Sequence, residues 1–221
     1  MAVTCSEREW NALLCLRLQK LSVNKMDTPL YDFIKEYDKK GNIRFHMPGH
    51  KGKGVFCDAA FDITEIDGSG VLYHGDGALG KSQDNASGLF STAKTLYSAE
   101  GSSLAIRGML TLIRTYAEKR GKKALIFAVR NAHKVFMTAC GILDIEIKWL
   151  YSEKNNNLLS AVITPDVLDK FLSSAEEKPV AVYLTSPDYL GNISDIRGIT
   201  AVCNKHGVIL AVDNAHGAYL N

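Results

Sequence analysis

The stretch VAVYLTSPDYLGNISDIRGITAVCNKHGVILAVDNAH, residues 180–216, decides the fold. Two near-continuous apolar runs, VAVYLT (180–185) and VILAVDNA (208–215), flank the helical pattern SDIRGITAVCNKHG (194–207). A strand with one face in water alternates apolar and polar residues, whereas a run without alternation is covered on both faces. Strand, helix and strand at this spacing form the unit that builds a parallel sheet. The same rhythm extends upstream. ALIFAV (124–129) is followed by a helix from Ala132 to Gly141, then by the strand IEIKWL (145–150). TPDVLDKFLSSAEE reads as a helix with Thr164 as its cap, Pro165 at the first position and Asp166 in the first turn. TLYSAE (95–100) reads as the first strand of the series, leading into the helical run GSSLAIRGMLTLIRTYAEKRG. The expectation is an α/β protein: a mostly parallel sheet with helices on both faces, in three layers.

Nearer the N-terminus the pattern is less regular. Residues 6–21 read as an amphipathic helix with Trp10, Leu13, Leu14 and Leu18 near one face. TPLYDFIKEYDKKG reads as a second helix, with Thr28 as cap, Pro29 at the first position and Gly41 at its end. FHMPGHKGKG (45–54) is too rich in glycine for a helix and carries a proline that a central strand excludes, so it is a loop. FDITEIDGSGVLYHGDGALGKSQ (61–83) has no stable period and reads as a long irregular segment, of the kind that is functional or ordered by a partner. The expected organisation is an N-terminal extension over 1–26, a helix and loop segment over 27–94, and a larger α/β domain over 95–221.

Composition narrows the function. The chain is 46% hydrophobic and 23% charged, with a net charge of +2 and basic residues scattered along it. That is the balance of an ordinary globular protein and gives no basic stripe for nucleic acid. Cys5, Cys15, Cys57, Cys140 and Cys203 are widely spaced without a CxxC, which points to free thiols and a cytoplasmic setting. The early charges at the N-terminus are not those of a signal peptide, and no later run approaches a membrane span.

In open α/β sheets, ligands bind outside the carboxyl ends of the strands. The residues there are Gly101-Ser102-Ser103 at a helix start, His133 in RNAHK, Ser186 in TSPDY, and Asp213 with His216 in DNAHG. No HxH or HExxH spacing supports a metal, and no G-x-S-x-G elbow supports a hydrolase. A phosphate-bearing planar cofactor such as pyridoxal 5'-phosphate suits them better. It wants a phosphate cup at a helix N-terminus, a flat group over its ring, and a carboxylate at the pyridine nitrogen.

The order TPLYDFIKEY, RFHMPGHKG, DITEID, YHGDGALGKSQ, EGSS, VRNAHK, TSPDYLG and VDNAHGAYL resembles the Orn/Lys/Arg decarboxylase family over residues 27–221. The resemblance implies the large domain of the pyridoxal-phosphate-dependent transferases, fold type I. It also implies decarboxylation of ornithine, lysine or arginine to a polyamine or its precursor, in a homodimer or higher assembly of the full-length form. By the same resemblance, Gly101, Ser102 and Ser103 hold the phosphate, His133 stacks on the ring, Asp213 binds the ring nitrogen, and Ser186 and His216 lie beside the cofactor. His46, His50 and Lys51 would border the entrance, near substrate or a neighbouring subunit; a loop knitted together by its own histidines explains the same residues.

This chain departs from the family at Val135, Asp188 and Asn214, and in HGDGALG, which puts the substrate in doubt more than the cofactor. The family's Schiff-base lysine lies in a Ser-x-His-Lys motif after the DxAHG aspartate, and no lysine here matches it; Lys51 and Lys134 do not occupy that position. The chain is therefore expected to be the N-terminal part of a longer enzyme, cut before the lysine strand and inactive as it stands. The resemblance further places two later strands between the first strand and the fourth, leaving the first without neighbours. Two alternatives stay open: another fold type I enzyme, such as an aminotransferase or lyase, or a non-catalytic remnant or partner subunit.

Overall fold

The computed structural model describes residues 27–54, 58–151 and 159–217. The helix expected over 6–21 lies outside these residues. The chain divides into two compact units between Tyr97 and Ser98.

The C-terminal unit begins with helix α3, Gly101–Lys119, and continues through β1 (Leu125–Val129), α4 (Lys134–Ile142) and β2 (Glu146–Leu150). It ends with α5 (Pro165–Ser173), β3 (Ala181–Thr185), α6 (Ile196–His206) and β4 (Ile209–Asp213). The four strands are parallel, in the order β2-β1-β3-β4. Alternation across each strand splits its side chains between two cores. Ile126, Ala128, Ala181, Tyr183 and Ala211 face α3 and α4, where they meet Ile106, Leu110, Ile113, Phe136 and Cys140. Leu125, Phe127, Val129, Val182, Leu184 and Leu210 face α5 and α6, where they meet Leu168, Leu172, Ile199 and Cys203. Both faces of β1 and β3 are covered, so these strands read as near-continuous apolar runs, while the edge strand β2 leaves Glu146 and Lys148 exposed; the three layers are those expected.

The ends of the helices follow local chemistry. Thr164 Oγ1 accepts a hydrogen bond from the Val167 N–H at 3.4 Å, and Asp195 Oδ1 accepts from the Gly198 N–H at 2.9 Å. The donors at each helix start lack a partner inside the helix, and these oxygens supply one. Gly207 ends α6 at φ +66, a left-handed conformation that only glycine adopts without cost.

The N-terminal unit holds α1 (Pro29–Lys39), a single 3₁₀ turn (Ala59–Phe61) and α2 (Gly77–Leu89). Pro29 starts α1 as expected, but the Thr28 side chain does not cap it. Instead the Thr28 N–H donates to Asp32 Oδ2 at 3.3 Å. Helix α2 corrects the reading of 61–83 as irregular. Its glycines lower helix propensity, yet two of the three are required by packing: a Cβ at Gly80 would run into the Gly75 carbonyl, and one at Gly77 would meet the Gly70 nitrogen at 2.5 Å.

Two further expectations are corrected. TLYSAE is not a strand. The Thr95 N–H donates to Ser87 Oγ at 2.8 Å and the Tyr97 hydroxyl to the Ser82 carbonyl at 2.9 Å, so the segment folds back onto α2 and has no ladder. The fourth expected strand, β3, pairs with β1 on one side and β4 on the other, so no strand can enter beside it. Among the described residues the edges of the sheet are β2 and β4.

Candidate cofactor site

The sheet order reverses at β1. From β1 the chain runs through α4 to β2 on one side, then returns through α5 to β3 on the other. The helices on either side of such a switch leave a crevice beyond the strand ends. His133 follows β1, Ser186 follows β3, and Asp213 closes β4, so three of the expected residues sit on the carboxyl side of neighbouring strands.

Asp213 is the best-defined group. It is 5% exposed, and Oδ2 accepts the Tyr183 hydroxyl at 3.0 Å while Oδ1 accepts the Ala215 N–H at 3.2 Å. Register explains the first contact: Thr185 pairs with Asp213 and Tyr183 with Ala211, so Tyr183 and Asp213 share one face, two residues apart along adjacent strands. Tyr183 is fully buried, its ring stacked on Phe136 at 4.1 Å. Burial, then the negative charge of Asp213, push the Tyr183 hydroxyl well above the usual tyrosine range, so it stays a donor. A carboxylate out of water normally faces a cation, and none of the ion pairs among the described residues includes Asp213.

His133 caps α4: Nδ1 accepts the Val135 N–H at 3.2 Å, which fixes the ring and leaves Nε2 to carry the proton in the neutral form. Lys134 is exposed at the first position of α4. Ser186 Oγ accepts the Ser194 N–H at 3.0 Å, and the Ser186 N–H donates to the Asp213 carbonyl at 3.0 Å, tying the ends of β3 and β4 together. The Ser186–Pro187 peptide is cis. His216 meets Tyr189 edge-on, with ring centroids 5.1 Å apart. Gly217 is forced by contact, since a Cβ there would run into Asn214 Oδ1 and Pro187 Cδ.

Gly101, with φ +62, opens α3, and open space surrounds the place a Cβ would take. Ser102 is exposed and Ser103 half-buried in the first turn. The preceding residue, Glu100, carries a carboxylate 3.6 Å from the Arg107 guanidinium.

Two residues of this region, Tyr183 and Asn131, carry no site signal in the sequence. Tyr183 looked like one more core residue. Asn131, 1% exposed just beyond β1, has neither amide atom hydrogen-bonded. Asp188 departs from the family pattern and is consumed locally. Oδ1 accepts the Leu190 and Asn192 N–H groups at 2.9 Å each, and Oδ2 accepts the Asn192 amide at 2.9 Å. Burial works to raise its pKa, but the hydrogen bonds from Asn192, Ser160 and the backbone together hold it below the usual carboxylate value.

The loop residues His46, His50 and Lys51 lie in the other unit, each with a partner there. Tyr37 Oη and His46 Nε2 are 2.9 Å apart; His50 Nε2 pairs with Asp62 at 3.1 Å, and its Nδ1 accepts the Gly52 N–H. Lys51 lies over the Phe45 ring. Arg44 pins the loop, donating to the carbonyls of Ala59 and Ala60 and to Asp38.

Among the described residues no cluster of three metal-ligating side chains occurs, and no helix is long and apolar enough to cross a membrane.

Fold and site together define an α/β domain whose strand ends present a buried carboxylate and a ring-bearing helix cap, with an open helix start at Gly101. Residues 28–221 match the family described as Orn/Lys/Arg decarboxylase, major domain, and the chain belongs to that family. An arginine decarboxylase of Halalkalibacterium halodurans is 28% identical over 88% of this chain and 40% of its own length. One of Bacillus subtilis is 28% identical over 90% of this chain and 41% of its own. The chain thus spans about two fifths of the length of these relatives. Among solved structures, mouse CSAD is 21% identical over 53% of this chain and 27% of its own, with a TM-score of 0.42. Oryza sativa TDC with PLP is 16% identical, covers 50% and 26%, and gives 0.40.

Proposed function

We propose that this chain supplies the pyridoxal-phosphate-holding part of a decarboxylase acting on a basic amino acid, and that arginine, lysine or ornithine is converted to a polyamine or its precursor. The observation that carries the reading is Asp213: a buried carboxylate at a strand end, held by Tyr183, with capacity for one more donor. Asp213 would accept a hydrogen bond from the proton of a pyridinium nitrogen there, whose positive charge would offset its own. When bound, the cofactor serves as the electron sink for loss of the α-carboxylate as carbon dioxide.

The protein's own groups divide the work. Asp213 would keep the proton at the ring nitrogen, and Tyr183 holds Asp213 in place. His133, with its ring direction set by the Val135 N–H, offers the flat face for stacking. Gly101 lets the backbone approach a phosphate closely, while the N–H groups and hydroxyls of Ser102 and Ser103 donate to it. Ser186 holds the ends of β3 and β4 in register, and His216 stands beside them. A cytoplasmic setting and self-association of the full-length form belong to the same proposal.

The test is a chimera in which residues 28–217 replace the matching part of the B. subtilis arginine decarboxylase. Carbon dioxide and an amine from arginine, lysine or ornithine are the expected products. A keto acid instead would assign an aminotransferase, and retained cofactor without either product would reject the reaction. The 221-residue polypeptide alone is expected to give no turnover, since none of its lysines occupies the Ser-x-His-Lys position.

A further inference from the structure

Two buried polar side chains at the carboxyl ends of β1 and β3 are left unpaired by the residues around them. The Thr185 hydroxyl and both amide atoms of Asn131 make no hydrogen bond among the described residues, although Thr185 is 7% exposed and Asn131 1%. A hydroxyl or amide held out of water without a partner is unfavourable, and native interiors keep few of them. Their place in the fold gives the reason. Thr185 is the register partner of Asp213, so the two side chains stand on one face of adjacent strands, one strand spacing of about 4.8 Å apart. They lie at the same depth, since Asp213 is 5% exposed. Burial and the charge of Asp213 push the Tyr183 hydroxyl upward, and the Thr185 hydroxyl counters part of that rise, which sets it beside the Tyr183–Asp213 bond. Asn131 lies in the turn after β1, two residues before His133. With β3 between β1 and β4, Asn131, Thr185 and Asp213 come from the ends of three consecutive strands.

We propose, resting on the cofactor reading above, that Thr185 and Asn131 bind the ring hydroxyl of the pyridoxal phosphate that Asp213 holds by its nitrogen. Nitrogen and phosphate already have partners in Asp213 and in Gly101, Ser102 and Ser103, and the aldehyde is the group that reacts. The ring hydroxyl remains, on the same ring as the nitrogen and within the span of one strand spacing. It both donates and accepts, as do a threonine hydroxyl and a carboxamide. Ser186 is less free for this task, because its Oγ already accepts the Ser194 N–H. A contact to the nitrogen alone leaves the ring free to turn in its own plane; a second contact at the hydroxyl stops that rotation. Unpaired groups kept in the interior at the expense of stability are what a ligand site requires, since local rules are broken where function needs it.

The test is equilibrium dialysis of the 221-residue chain against pyridoxal phosphate and against its 3-deoxy analogue, beside urea unfolding without either ligand. The parent chain should prefer pyridoxal phosphate by about tenfold, the value of one buried hydrogen bond. Thr185→Val and Asn131→Leu should each remove most of that preference. Neither should lower the urea midpoint, because each deletes a polar group that had no partner. Thr185→Ser restores the hydroxyl and should keep the preference. A lower midpoint with the parent's preference intact would assign both side chains to buried water and overturn the proposal. Equal binding of the two ligands by the parent, lost for both in Asp213→Ala, would also overturn it while leaving the cofactor reading in place. Binding of neither ligand by the parent would overturn both.

Discussion

Replacing Tyr183 by phenylalanine probes the one buried polar contact on which the proposed site depends. The ring stays in place: it is fully buried and stacked on Phe136 at 4.1 Å, so the change removes an oxygen without opening a large cavity. What is lost is the 3.0 Å hydrogen bond to Asp213 Oδ2, leaving that carboxylate with the 3.2 Å contact from the Ala215 N–H. A hydrogen bond to a charged group is worth about 1.5–3 kcal/mol, and stranding the charge places the cost toward the upper part of that range. We expect about 2 kcal/mol of destabilisation at pH 7, read as a lower urea midpoint with unchanged slope. Asp213→Asn in the same cycle should show coupling of similar size, because the two side chains are in contact.

A second readout comes from pH. The folded pKa of Tyr183 lies above its ordinary value of 10.0, so above pH 10 the unfolded chain releases this proton while the folded chain retains it. The contribution of this group is complete below that value and is lost as pH rises beyond it. The phenylalanine variant should therefore lose less stability than the parent between pH 10 and 11. A change below about 0.5 kcal/mol at pH 7, with identical alkaline limbs, would refute the role assigned to the pair.

Three further outcomes are expected. Asp188→Asn should weaken the 188–192 turn. It should also flatten the acid limb of the stability curve: the folded carboxyl titrates below its ordinary value of 3.8, so its contribution is present above that value and lost as pH falls through the folded pKa. Gly217→Ala should disturb the strand-end loop through the clash with Pro187 and Asn214, costing about 1–3 kcal/mol by urea titration. Glu100→Gln should tighten binding of pyridoxal phosphate about two- to fivefold at low salt, since it removes an exposed negative charge beside the helix start, with the gain fading as salt is raised.

The parallel sheet was legible because its central strands are buried on both faces: LIFAV is wholly apolar and AVYLT nearly so, whereas the edge strand EIKWL alternates exposed Glu146 and Lys148 with apolar residues. Site positions followed from the same pattern, as the first polar residue after each apolar run marks a carboxyl end. Where glycine serves packing rather than a turn, propensity misleads, and α2 was missed for that reason. TLYSAE has strand composition, but the outcome was set by where its backbone donors go, namely to Ser87 of α2. The Tyr183–Asp213 bond depends on the register of two strands thirty residues apart, which composition does not carry. Asp188 drew attention as a family departure, while its neighbours Leu190 and Asn192 account for it as a turn residue.

The central claim is tested most directly by equilibrium dialysis of pyridoxal phosphate against the 221-residue chain, its Asp213→Ala variant and its Ser102→Ala/Ser103→Ala variant. Saturable binding to the parent chain, weakened tenfold or more in each variant, is the predicted result. No saturable binding, or binding that neither variant changes, would contradict the account.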